Sequence, residues 1–175
     1  MTEERRRMPE PWFRANAASF PISEILSNQV YRLARDGERQ LGPYVLPPFQ
    51  RGFVWSQEQQ IKLIESIWGG LPIGAYVYND AGYEHECDGW LLDGQQRLTS
   101  IILYATGAFR VFGYSFQQLP LVEQRGFRMR PIGVMTTRIQ DPKICADVYD
   151  RLAYGGTAHP DRDPPSRRGG GSDAA

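Results

Sequence analysis

In this chain of 175 residues, the groups with the most chemical potential lie in one run, Leu91-Leu92-Asp93-Gly94-Gln95-Gln96-Arg97. An apolar strand passes through a tight turn into polar groups at a helix start. The first backbone N–H groups of a helix have no partner inside it, and with the positive end of the helix dipole they favour an anion. An arginine in the first turn adds a planar fork that grips phosphate through two hydrogen bonds. At about 100° per residue, Gln95 and Arg97 flank the apolar stripe of Leu98, Ile101 and Ile102, whereas Gln96 points nearly away from it. The same spacing serves a purely structural turn, in which Asp93 caps the helix and Arg97 pairs with a neighbouring charge. Spacing leaves both readings open.

The elements that must position this turn follow from periodicity. Ile22, Ile25, Leu26, Val30 and Leu33 predict a helix from Ile22 to Arg35, closed by Gly37. Tyr44-Val45-Leu46 reads as a short strand, and Pro47-Pro48 break it into the polar segment that carries Gln50 and Arg51. Ser56 and Gln59 form a capping box ahead of a helix striped by Ile61, Leu63, Ile64, Ile67 and Trp68 and closed by Gly69-Gly70. Ile73 to Tyr78 and Trp90 to Leu92 are β-branched, aromatic or aliphatic and read as strands. A helix from Gln95 to Thr106 follows. Phe109 to Phe112 and Ile132 to Ile139 are expected strands, and Asp141 with Pro142 opens a last helix whose face is Ile144, Cys145, Val148, Tyr149 and Leu152. The pattern predicts an α+β fold, a small mixed sheet flanked by about four helices.

The length suits one domain of roughly 100–200 residues. Residues 1–19 are expected to form an arm that pins Trp12 and Phe13 onto the body, and 20–157 the domain itself. The stretch 158–175 holds no large apolar side chain and is expected to be a disordered tail. Lys and Arg total 20 and Asp and Glu total 20, so no whole-molecule field steers the chain to nucleic acid or an anionic membrane. Two cysteines supply neither a disulfide framework nor a paired metal motif, and no apolar run approaches the ~20 residues of a membrane span. The expected location is the cytosol.

Two other stretches hold candidate chemistry. Glu84-His85-Glu86-Cys87-Asp88 crowds potential metal ligands, yet alternation along a strand puts only His85 and Cys87 on one face, short of a zinc site. Arg110, Arg125, Arg128, Arg130 and Arg138 stand against a lone Glu123, interleaved with Phe109, Phe112, Tyr114, Phe116 and Phe127. That strip makes DNA a candidate partner, although periodicity puts most of the aromatics in the core.

The order Phe49-Gln50-Arg51 with Val54-Trp55, Pro72-Ile73-Gly74, Leu92-Asp93-Gly94-Gln95-Gln96-Arg97-Leu98-Thr99, and Tyr149-Asp150-Arg151-Leu152 with Gly155-Gly156-Thr157 resembles the N-terminal domain family of GmrSD-type, modification-dependent restriction endonucleases, within the ParB/sulfiredoxin-like superfamily. The resemblance spans about Phe20 to Thr157. It implies a ParB/sulfiredoxin-like fold whose D-G-Q-Q-R turn binds and hydrolyses a nucleoside triphosphate, commonly GTP, in defence against modified phage DNA. CTP and ATP are the alternatives. Carried over by position, Gly94, Gln95, Gln96 and Arg97 with Gln50 and Arg51 bind the nucleotide. Asp93 holds Mg²⁺ directly or through water, Gln95 orients the attacking water, and Arg97 and Arg51 neutralise phosphate charge.

Two departures bear on this. Ala153 stands where the family's last motif usually has asparagine, and no H-N-H nuclease pattern follows Thr157, which makes a separate nuclease subunit an expected partner. Gln95 occupies the position of the sulfiredoxin cysteine, so cysteine-sulfinate chemistry is excluded for want of a thiolate. The competing readings are a non-catalytic interaction module, such as a decoy or inhibitor, and a self-sufficient metal-dependent DNA nuclease.

Overall fold

In the computed structural model, residues 11–154 are described. A four-stranded sheet has the order β1 (Asn16–Pro21), β6 (Pro131–Thr137), β4 (Ala75–Asn79), β5 (Leu91–Asp93). β1 and β5 run antiparallel to their neighbours, while β4 and β6 are parallel. A separate hairpin joins β2 (Arg39–Leu41) to β3 (Tyr44–Leu46). The helices are α1 (Ile22–Ile25), α2 (Gln57–Trp68), α3 (Gln95–Ala105), α4 (Leu121–Arg128) and α5 (Pro142–Tyr154). The mixed α+β class expected from the sequence is the one observed.

Strand alternation divides the core into two layers. Tyr76, Leu91, Ile132 and Val134 pack with Leu63, Ile64 and Ile67 of α2 and Leu98, Ile101 and Tyr104 of α3. Val77 and Leu92 point the other way and meet Cys145 and Val148 of α5. α2 is fixed by its capping box, in which Ser56 Oγ accepts from Gln59 N (3.3 Å) and Gln59 Oε1 accepts from Ser56 N (2.9 Å). At the start of α5, Asp141 Oδ1 accepts from Lys143 N at 2.9 Å. Asn79, at the end of β4, satisfies its whole amide by donating to the carbonyls of Cys87 and Ile139 and accepting from Thr137 Oγ1 and Ile139 N.

Three expectations need correction. The helix predicted over Ile22 to Arg35 stops after one turn at Ile25. Val30 and Leu33 lie outside the core, Leu33 at 76% exposure. The chain from 28 to 38 is held instead by distant groups. Arg32 pairs bidentately with Glu38 (2.6 Å each) and donates to the Asp88 carbonyl (2.6 Å), and Tyr31 stacks on Tyr78 with ring centroids 5.4 Å apart. The strand expected at Phe109 to Phe112 is only a bridge between Val111 and Tyr114, because positive φ angles at Phe112 and Gly113 reverse the chain at once. Pairing with the sheet begins at Asn16, so part of the expected arm 1–19 is strand β1.

Within that arm, Phe13 packs on the α5 layer, and Arg151 lies over the Trp12 ring at 5.3 Å. The tail, with Gly155-Gly156-Thr157 and His159, lies outside the described residues. No helix among the described residues is long and apolar enough to cross a membrane, and they contain no group of three or more potential metal ligands.

Candidate functional site

The D-G-Q-Q-R turn is built by β5 running through Gly94 into α3. Gly94 has φ +104°, and a Cβ there would sit 2.5 Å from Tyr76 Cβ, so only glycine lets the turn lie against β4. Gly94 is also the helix N-cap and brings no side chain to the first-turn N–H groups. The turn and the first residues of α3 line a cleft of about 200 Å³.

The cleft gathers three separate parts of the sequence: Gln50 and Arg51, Asp93 through Arg97, and Tyr149, Leu152 and Ala153 of α5, with Trp55 on the rim. All the residues singled out for nucleotide binding therefore share one cavity. The Gln50-Arg51 segment is anchored through its backbone. Arg39 Nη2 donates to the Gln50 carbonyl (2.7 Å) and the Arg51 carbonyl (3.2 Å), and Arg51 N donates to Tyr149 Oη (3.3 Å). Burial pushes the Tyr149 phenol up, which keeps it neutral and available as this acceptor. Its ring packs at a tilt against Phe49 with centroids 5.6 Å apart, and Phe49 in turn meets Trp90 at 5.4 Å.

The five residues of the turn divide their work. Arg97 Nη1 donates to the Ile73 carbonyl (2.9 Å), while Nη2 reaches the Ala75 carbonyl (2.9 Å) and Asp93 Oδ2 (2.6 Å). The ion pair that spacing left open is present, and the Pro72-Ile73-Gly74 element is its receptor. A Cβ on Gly74 would lie 2.9 Å from Arg97 Nη1. Gln96 clamps the preceding loop, accepting from Val54 N (2.9 Å) and Trp55 N (3.1 Å) and donating to the Gly52 carbonyl (3.2 Å). Gln95 is buried on the cleft wall. Gln50, 6% exposed, has an Oε1 with no hydrogen-bond partner among the described residues.

Arg51 is exposed, and its guanidinium lies 5.7 Å from the Tyr154 ring. It is the cleft cation with room to meet a ligand. Among the described residues, the stretch Glu84 to Asp88 forms turns rather than a strand, and Cys87 is buried with its Sγ donating to the Ile139 carbonyl at 3.0 Å. Sequence reasoning gave Trp55 a place in the motif but no role in the site, and it missed Arg39, which carries no local signal because chain folding recruits it.

Fold and site together define an α+β domain with a polar cleft where a strand turns through glycine into a helix N-terminus. The family model described as "GmrSD restriction endonuclease, N-terminal domain" matches residues 27–156. The chain belongs to that family, which attaches it to a restriction-related role. Searches of curated proteins and of solved structures each found no significant match.

Proposed function

We propose that this domain binds a nucleoside triphosphate in the cleft between Gln50, Asp93 and Tyr149, and that the bound nucleotide controls its work with DNA or a nuclease subunit in restriction. What supports this most is the convergence of Gln50, Arg51 and the whole D-G-Q-Q-R turn on one cavity, with a buried amide oxygen left unpaired in its wall. An unpaired buried acceptor costs about 1–3 kcal/mol, and an N–H of a nucleobase would relieve it where a phosphate would not. The uncapped N–H groups of α3 and the Arg51 guanidinium suit the phosphates.

A cleft of about 200 Å³ is smaller than the ~300–1,000 Å³ of pockets that enclose whole ligands, so part of the nucleotide lies outside it. Arg97 has both terminal nitrogens engaged and acts as a positioning residue that fixes Asp93. The Asp93 carboxylate would repel a phosphate chain unless a cation stood between them. One carboxylate with phosphates and water is a donor set that Mg²⁺ accepts, so Asp93 would hold the ion, which would supply charge neutralisation at the phosphates. In hydrolysis Gln95 orients the water. GTP is the favoured nucleotide, with CTP and ATP as alternatives.

Titration calorimetry of the full chain with GTP, CTP, ATP and inorganic pyrophosphate, each with Mg²⁺, tests the reading. The expected result is binding of one nucleotide in preference to pyrophosphate. Binding of none of them overturns it, and pyrophosphate binding as tightly as every nucleotide removes the base-contacting role of Gln50.

A further inference from the structure

A second cavity, sharing no residue with the cleft, opens beside the reversal at Phe112-Gly113. It measures about 310 Å³ and is lined by Trp68, Tyr104, Phe112 and Tyr114, with Leu119 and Glu123 at its edge. Tyr104 and Trp68 are locked to each other, the indole N–H donating to the Tyr104 hydroxyl at 3.4 Å. Phe112 and Tyr114 stand out at 67% and 57% exposure.

The turn that presents them is held against its own preference. Val111 and Tyr114 exchange backbone hydrogen bonds (2.9 and 3.1 Å) across two residues with positive φ, +50° at Phe112 and +86° at Gly113. That is a two-residue mirror-type turn, whose first central position favours asparagine, aspartate or glycine. A bulky aromatic in the left-handed region is an outlier that costs stability, and here its ring gains little burial in return. Strain without burial is characteristic of a side chain kept for contact with something else.

Charge indicates what that contact is. The whole chain is balanced, yet the segment from Arg110 to Arg138 carries five arginines against Glu123 alone. Arg128 lies over the Phe116 ring at 5.5 Å, and that ring packs edge-on against Tyr104 of the groove wall at 5.6 Å, while Arg110 directly precedes Val111 of the lining. Aromatic rings that present open faces among arginines are the means by which unpaired bases are stacked while their phosphates are neutralised. The Glu123 carboxylate in the lining can accept from an N–H of the stacked base.

We propose that the groove between Phe112, Tyr114 and Trp68 is a stacking site for an unpaired nucleobase of a DNA strand, with Arg110 and Arg128 meeting the backbone. The inference does not depend on nucleotide binding in the other cleft. It predicts opposite signs for one substitution. Phe112→Asn suits the left-handed backbone better and removes the stacking ring, so it should raise the melting temperature while weakening DNA binding.

The experiment measures fluorescence anisotropy of a labelled oligothymidine and of a matched duplex against wild type, Phe112→Asn and Tyr114→Ala, with melting temperatures alongside. The expected result is that wild type binds the single strand more tightly than the duplex. Each variant should then lose about tenfold in single-strand affinity, within the range of one base stack, without loss of thermal stability. Trp68 emission should be quenched on binding by wild type. Absence of single-strand binding, equal affinity for single strand and duplex, or variants that bind like wild type would overturn the proposal. Self-association of wild type that Phe112→Asn abolishes, without oligonucleotide binding, would overturn it in favour of a protein partner.

Discussion

Asp93 at the end of β5 and Arg97 in the first turn of α3 lie four positions apart and close on each other, Nη2 to Oδ2, at 2.6 Å, while the same guanidinium donates to the carbonyls of Ile73 and Ala75. One side chain thereby ties the N-terminus of α3 to the entrance of β4. Its 17% exposure keeps the contacts largely out of water. The arginine that most resembles a phosphate ligand in the sequence is a strut in the structure, and the exposed cation of the cleft is Arg51.

Arg97→Ala and Arg51→Ala should therefore differ. Loss of Arg97 strands two carbonyls and a carboxylate and should cost about 2–4 kcal/mol of folding stability, the scale for charge-assisted bonds to partly buried groups. Arg51→Ala should leave the urea midpoint within about 0.5 kcal/mol, as for an exposed side chain, and weaken nucleotide binding by about 1.5–3 kcal/mol. Urea unfolding and calorimetry on both variants check this. Equal stability losses would mean that Arg51 also braces the fold.

Gln50→Leu probes the unpaired amide. Replacing a buried, unsatisfied polar group with an apolar one of similar size is neutral or stabilising, so the melting temperature should hold or rise. Nucleotide affinity should fall toward that of pyrophosphate. A clear drop in melting temperature would show that the amide has a structural partner.

Gly94→Ala should damage the turn itself. A left-handed non-glycine residue costs about 1–3 kcal/mol, and a Cβ 2.5 Å from Tyr76 Cβ adds overpacking of similar size. Stability should fall by roughly 2–5 kcal/mol, with nucleotide binding lost because the α3 N–H groups move. A variant with wild-type stability would contradict the backbone described for this position.

Acid should loosen the 28–38 loop. Burial alone would raise the Glu38 carboxyl, but hydrogen bonds from Arg32, the Arg35 N–H and Trp90 outweigh it and hold the group below its ordinary 4.5. A carboxyl depressed in the folded state contributes stability that is full above its unfolded value and is lost as pH falls through the folded one. The stability gap between wild type and Glu38→Gln should thus be present at neutral pH and close progressively below 4.5. Urea midpoints across that range read it directly, and a gap independent of pH would remove Glu38 as the titrating group.

The elements predictable from the sequence were those whose causes lie within a few residues. The Ser56–Gln59 capping box and the Asp141–Pro142 start of α5 involve groups within three positions of each other and appear as expected, while α3 buries Leu98 and Ile101 of its expected stripe but Tyr104 in place of Ile102. β1 gave no such signal, since Asn16–Pro21 is an edge strand with no buried residue and its pairing comes from β6, more than a hundred residues away. The apolar spacing of Val30 and Leu33 suggested a helix, but Arg32 binds the Asp88 carbonyl, 56 positions along, and that contact outweighs a weak local preference. The turn at Phe112 went unread because an aromatic residue there contradicts the residue preference of such a turn.

Residue types and spacing drew attention to the Asp93 to Arg97 turn, and the family resemblance added Gln50 and Arg51. Only the tertiary structure decided that they share one cleft with Tyr149 and Trp55. It also decided that Arg97 turns back to Ile73 and Ala75 while the Arg51 guanidinium stays exposed beside the Tyr154 ring. A guanidinium is satisfied by whichever carbonyls and carboxylates folding brings within reach, and those of β4 lie more than twenty positions from it in sequence.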